Sequence, residues 1–168
     1  IASHVESGMI TVQQVDPAEI TPGEFAGRII DGVEAGCRLV VVDSLNGYLN
    51  AMPGEKCLNM QLHELSAYLN QQGVLTLYLL AQHGLVAPAE ADVDLSYLAD
   101  TVVYLRFFEA DGGVKQAISV IKKRSGSHER TIREFTLAPE RGIHIGEPLS
   151  DFRGVLTGMP EFFGKDSH

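Results

Sequence analysis

The 168 residues predict an α/β fold: a parallel sheet with helices on both faces, extended by antiparallel strands toward the C-terminus. Three observations predict it. Val40–Val42 and Val74–Ala81 are continuous apolar runs with no polar face, the pattern of strands buried on both sides of a parallel sheet. Each run follows a segment whose apolar residues recur at helical spacing. Beyond residue 100 the pattern changes to strands with short connections, and Asp111-Gly112-Gly113 is a strong hairpin turn between two of them.

Taken in order, Met9–Val15 alternates apolar and polar residues and predicts a strand ended by Asp16-Pro17. Thr21-Pro22-Gly23-Glu24 fits a capping box, with Thr21 as N-cap, Pro22 at the first helical position and Glu24 at the third. Phe25, Ile29 and Val33 then fall on one helix face, and Gly36 stops the helix. The Val40–Val42 strand follows. Leu45–Glu55 contains Asn, Gly and Pro and predicts a loop. Cys57 opens a second helix with Leu58, Leu62, Leu65 and Leu69 at helical spacing, stopped by Gly73. The Val74–Ala81 strand completes a strand–helix–strand–helix–strand order, which favours right-handed crossovers. Thr101–Glu109, Val114–Ile121 and Thr131–Leu137 predict further strands, and 142–158 predicts short strands and loops. No repeat, low-complexity tract or linker divides the chain, so one domain over 1–168 is the simplest expectation.

Composition bounds the function. Hydrophobic residues make up 45% and charged residues 21%, ordinary for a globular chain able to bury one core. The net charge of −9 offers no general attraction to nucleic acid or to an anionic membrane, so any phosphate site must rest on a local basic cluster. No run of 18 apolar residues occurs. Cys37 and Cys57 form no CxxC and no disulfide framework. They predict buried, reduced thiols, in keeping with a cytoplasmic setting.

Two clusters have the residue types for phosphate chemistry. The first is Arg38-Leu39-Val40-Val41-Val42-Asp43-Ser44, in which Asp43 ends a buried strand. Open α/β sheets bind ligands at that end, and in P-loop NTPases an Asp so placed helps hold Mg²⁺. A turn-closing Asp has the same signature. The second is Lys122-Lys123-Arg124-Ser125-Gly126-Ser127-His128: three cations, two hydroxyls and an imidazole directly after a strand. Arg and Lys there can clamp phosphate oxygens, and Ser-Gly-Ser can turn backbone N–H groups toward an anion. A solvated hairpin tip has the same composition. Gln82-His83-Gly84 follows the second buried strand, where Gln82 can sense a phosphate, orient a water or bond internally. Other chemistries are absent from the sequence. His63-Glu64 is not part of HExxH, Ser44 lacks a G-x-S-x-G elbow, and no G-x-x-x-x-G-K-[ST] occurs.

Val41–Leu49 resembles the Walker B region of KaiC-like ATPases, a RecA-type family. So do Gln71–Val74, Ala81–Leu85, Leu98–Val102, Ile118–Phe135, Gly142–Leu149 and Phe152–Pro160, stretches spread from residue 41 to residue 160. The resemblance implies a RecA-like P-loop NTPase fold, here partial, and a bacterial hexameric ring binding ATP and Mg²⁺ between subunits. It implies that Asp43 is the Walker B residue, acting on Mg²⁺ through a water, with Ser44 and Gln82 beside the nucleotide. It also implies that Lys122, Arg124 and His128 form the family's K-x-R-x-x-x-H element, reaching with Ser125 and Ser127 to a neighbouring subunit's ATP like an arginine finger in trans. Circadian clock members of the family autophosphorylate adjacent Ser and Thr residues, which makes Ser96 a phospho-acceptor candidate for serine/threonine kinase activity; Tyr97 departs from the pattern.

The family's P-loop and catalytic glutamates lie upstream of Met9, so the chain is expected to be the later part of an ATPase domain, inactive alone and prone to self-association or partner dependence. A non-catalytic RecA-like interaction or signalling module, docking protein partners without a P-loop, is the alternative. A DNA-acting recombinase or helicase is disfavoured by the charge of −9 and the lack of a basic stripe. The interaction module, unlike the ATPase, has no need of a phosphate clamp such as Lys122–His128.

Overall fold

The computed structural model describes residues 1–16, 18–51, 57–81, 97–157 and 159–164. The chain divides into two compact units, Ile1–Ala81 and Gln82–His168.

In the first unit, helix α1 (Ala2–Glu6) has no buried residue. The segment after it does not form the strand that its alternation predicts. Residues 11–16 are irregular, and Met9 and Val12 are 76% and 75% exposed. Alternation supplies a face for a strand, but a strand also needs a partner for its backbone N–H and C=O groups, and no described strand lies beside this segment.

Helix α2 (Pro22–Glu34) begins as expected. The Glu24 backbone N–H donates to Thr21 Oγ1 at 3.2 Å, and the Thr21 backbone N–H donates to Glu24 Oε2 at 2.8 Å. Together they satisfy two donors that a bare helix start leaves open. Past the C-cap Ala35, Gly36 takes φ +104, a conformation that costs glycine nothing.

Strand β1 (Leu39–Asp43), helix α3 (Leu45–Ala51), helix α4 (Leu58–Gln71) and strand β2 (Leu75–Leu79) follow. The two strands pair in parallel, from Leu39 opposite Leu75 to Asp43 opposite Leu79. Val33 from α2, Leu65 and Leu69 from α4, and Val74 form the buried centre, with Phe25, Ile29, Val40 and Tyr68 packed around it. Burying a leucine as fully as Leu69 contributes about 1.5–3 kcal/mol.

The sheet is covered on one face, not two, among the described residues. Val40, Val42, Thr76 and Tyr78 are half-buried, and Tyr78 Oη is 2.9 Å from Ser66 Oγ on α4. The Ser66 hydroxyl is already bonded to Leu62 O, so the phenol is the donor. Burial pushes the Tyr78 phenol pKa up. Leu39, Val41, Leu75, Leu77 and Leu79 point to the other face and are exposed. The alternate burial arises because no described helix covers that face.

Two local expectations change. Leu45–Ala51 is a helix although Asn and Gly make the segment look like a loop. Leu45 and Tyr48, three residues apart, are 2% and 5% exposed, and the Tyr48 ring sits 5.0 Å from that of Phe25. Burial of one helical face overrides weak propensity. Cys57, expected buried, is exposed and caps α4 with φ +79, while Cys37 is half-buried with its thiol 3.0 Å from Leu39 O.

In the second unit, strands β3 (Thr101–Ala110), β4 (Gly113–Lys123), β5 (Arg133–Ala138) and β6 (Gly142–Pro148) form an antiparallel sheet in chain order. Strands β7 (Phe152–Arg153) and β8 (Glu161–Phe162) form a separate small ribbon. Asp111 and Gly112 take φ +52 and +71, the paired positive values of a tight hairpin turn. Phe108, Ala110, Ala117 and Val155 form the core of this unit, with Ile132, Leu149 and Phe152 against it.

Candidate functional site

Asp43 is the last residue of β1 and is exposed, with Ser44 half-buried beside it at the entry to α3. The peptide between them is cis. Their position is fixed from both sides. Leu45 and Tyr48 sink α3 into the unit, and Asn46 bonds to the exit of β2. Asn46 Nδ2 donates to Ala81 O at 2.9 Å, and Ala81 N donates to Asn46 Oδ1 at 2.7 Å. One amide side chain thereby joins the ends of two parallel strands across 35 residues of sequence. Sequence reasoning gave Asn46 no role, because an Asn after a strand reads as a turn residue.

The cationic segment lies in the second unit. Lys122 is within β4, half-buried, opposite Val102 at an irregularity in the register between Val102 and Val103. Arg124 is the first residue past the strand. Its backbone N–H donates to Asp100 O at 2.8 Å, its Nη1 donates to Asp100 Oδ1 at 3.3 Å, and its Nη2 donates to Tyr97 O. Ser125 and Ser127 are exposed around Gly126, whose φ of +75 makes the bend, and His128 is half-buried. Past the bend, Glu129 accepts from the Thr131 hydroxyl and from Arg133 Nε at 2.7 Å. These two hydrogen bonds, the Thr131 one first, hold the Glu129 carboxyl below its ordinary pKa. The segment is thus tied at Arg124 and at Glu129, with the Ser-Gly-Ser bend between.

Lys122, Arg124, Ser125, Ser127 and His128 fall in one short segment of the second unit, and Asp43 with Ser44 falls in the first. Gln82 and Ser96 lie outside the described residues. Sequence reasoning placed Asp100 in the family-like stretch Leu98–Val102 but gave it no role.

The donor set suits a nucleotide. Lys and Arg cations, two hydroxyls and an imidazole are ligands for phosphate oxygens. Among the described residues no three His, Cys, Asp or Glu side chains cluster into a metal site. No described helix is long and apolar enough to cross a membrane.

Comparisons with known proteins agree. The family described as "ATPase: KaiC" matches residues 8–150. Circadian clock protein KaiC3 of Synechocystis sp. (strain PCC 6803) is 31% identical over 124 residues, covering 73% of this chain and 24% of that protein. Circadian clock oscillator protein KaiC of Prochlorococcus marinus (strain SARG / CCMP1375) is 27% identical over 170 residues, covering 99% of this chain and 31% of that protein. The same-named protein of Synechococcus elongatus (strain PCC 7942) is 32% identical over 69 residues, covering 41% of this chain and 13% of that protein. The chain therefore spans less than a third of the length of these relatives. With the family match running through both the Asp43 and the Lys122–His128 segments, the chain belongs to the KaiC ATPase family, whose fold is RecA-like α/β.

Proposed function

We propose that the chain serves a KaiC-family ATPase that hydrolyses ATP at the subunit interfaces of a homohexameric ring. The observation that carries the reading is the Lys122–His128 segment, which concentrates phosphate-binding groups on a protein of net charge −9 and is anchored at both ends. An interaction module has no use for such a segment.

In this reading Asp43 would hold Mg²⁺ through a water, with Ser44 and Gln82 beside the nucleotide. When bound, Mg²⁺ would supply charge neutralisation to the phosphates. Lys122 and Arg124 meet the phosphates of the nucleotide held by the adjacent subunit. Ser125, Ser127 and His128 add hydrogen bonds from the same bend. The clamp stabilises charge on the transferring phosphoryl group and does no covalent chemistry of its own. Water is the acceptor in this reading; transfer to Ser96 rests on the resemblance alone.

Kinetics on the intact protein test this. Arg124→Ala and Asp43→Asn should each lower kcat by about 10²-fold or more, the scale of losing an arginine finger or a charge-stabilising group. Assembly, followed by size, should be unchanged. A kcat within about 3-fold of the parent for Arg124→Ala would contradict the clamp.

A further inference from the structure

Arg124 is joined to residue 100 twice. Its backbone N–H meets the Asp100 carbonyl at 2.8 Å and its Nη1 meets Asp100 Oδ1 at 3.3 Å. Its Nη2 meets the Tyr97 carbonyl. These partners are 24 and 27 residues away in sequence and are delivered by the pairing of β3 with β4, which sets Thr101 opposite Lys123.

The Arg124 and Asp100 side chains are 54% and 59% exposed. An ion pair so exposed adds little to fold stability, so stability does not account for it. What it does is restrict direction. A guanidinium is planar, with its N–H groups in a fixed fork. Engaging one N–H on each Nη sets the plane and leaves the remaining donors for an anion. A Lys in the same place would have no such plane to set.

We infer that Asp100 is a positioning residue for Arg124, holding the guanidinium in the posture in which it meets phosphate. The inference rests on the reading of Arg124 as a phosphate clamp.

Asp100→Asn, Asp100→Glu, Arg124→Ala and the double variant Asp100→Asn/Arg124→Ala, made in the intact protein, test it with two readouts. The first needs no nucleotide. Phenylglyoxal modifies arginine guanidinium groups, and its rate at Arg124 is followed by peptide mass spectrometry. Asp100→Asn should raise that rate about 3-fold, the size expected of an exposed pair, and Asp100→Glu should return it toward the parent value. The second readout is steady-state ATPase kinetics. Asp100→Asn should lower kcat about 3- to 10-fold with KM for ATP within about 2-fold, the split expected when a transition-state contact is misplaced. In the Arg124→Ala background the same substitution should change nothing further.

An unchanged modification rate in Asp100→Asn overturns the inference. So does an equal loss of kcat with and without Arg124, or a kcat that rises. A parent-like kcat for Arg124→Ala overturns the clamp reading itself, and the two failures are distinguished because the modification rate reports the Asp100–Arg124 contact regardless of catalysis.

Discussion

Thr21 and Glu24 form a reciprocal pair that is complete within four residues, so nothing distant is needed to read it. Thr21→Ala removes the hydroxyl acceptor of α2 and should cost about 1 kcal/mol in urea unfolding. The pair also predicts a pH dependence. The Thr21 backbone N–H, then its hydroxyl, hold the Glu24 carboxyl below its ordinary pKa. A carboxyl depressed in the folded state stabilises the fold above its unfolded pKa, and that contribution fades as pH falls through the folded value. The parent should therefore lose more stability than Thr21→Ala between pH 5 and pH 3, a window that starts just above the ordinary Glu pKa of about 4.3 and ends roughly one unit below it. Equal acid sensitivity of the two would contradict it. Arg124 is the opposite case. Its residue type and its place after a strand are legible in sequence and make it a candidate phosphate ligand. Its partners are not, because Asp100 and Tyr97 meet it only after two long strands have paired.

At the scale of elements, the sequence was read well where a pattern and its partner agreed. The apolar spacing of α2 and α4 points at one shared core, and Val33, Leu65 and Leu69 form it with Val74; the runs of β1 and β2 pair in parallel as expected but bury only alternate residues. Two patterns misled. Met9–Val15 alternates like a strand but has no described strand to pair with. Leu45–Ala51 has loop-like residues, yet Leu45 and Tyr48 bury one face and make it α3. In both, a contact outside the segment, absent or present, decided the outcome. Asn46 is the element-scale device that matters most to the site, because it ties the start of α3 to the end of β2 next to Asp43. Asn46→Ala should cost about 1–2 kcal/mol in urea unfolding, the net worth of two hydrogen bonds. An unchanged midpoint would show that Leu45 and Tyr48 hold α3 without it.

For the whole molecule, each unit has a sheet with an exposed apolar face. Leu39, Val41 and Leu75 mark it in the first, and Val103, Leu105 and Phe107 in the second. Such faces are uncommon on self-sufficient monomers and are usual where a chain works inside an assembly. The residues assigned to catalysis fall in both units, Asp43 in the first and Lys122, Arg124 and His128 in the second. In the proposed ring, Asp43 serves the nucleotide of its own subunit while Arg124 serves that of the neighbour. It follows that two inactive variants should complement each other. Asp43→Asn and Arg124→Ala forms of the intact protein, mixed and allowed to exchange subunits, should regain ATPase activity, because some interfaces then join an intact Asp43 to an intact Arg124. No recovery after exchange has been demonstrated by mass spectrometry would contradict the account.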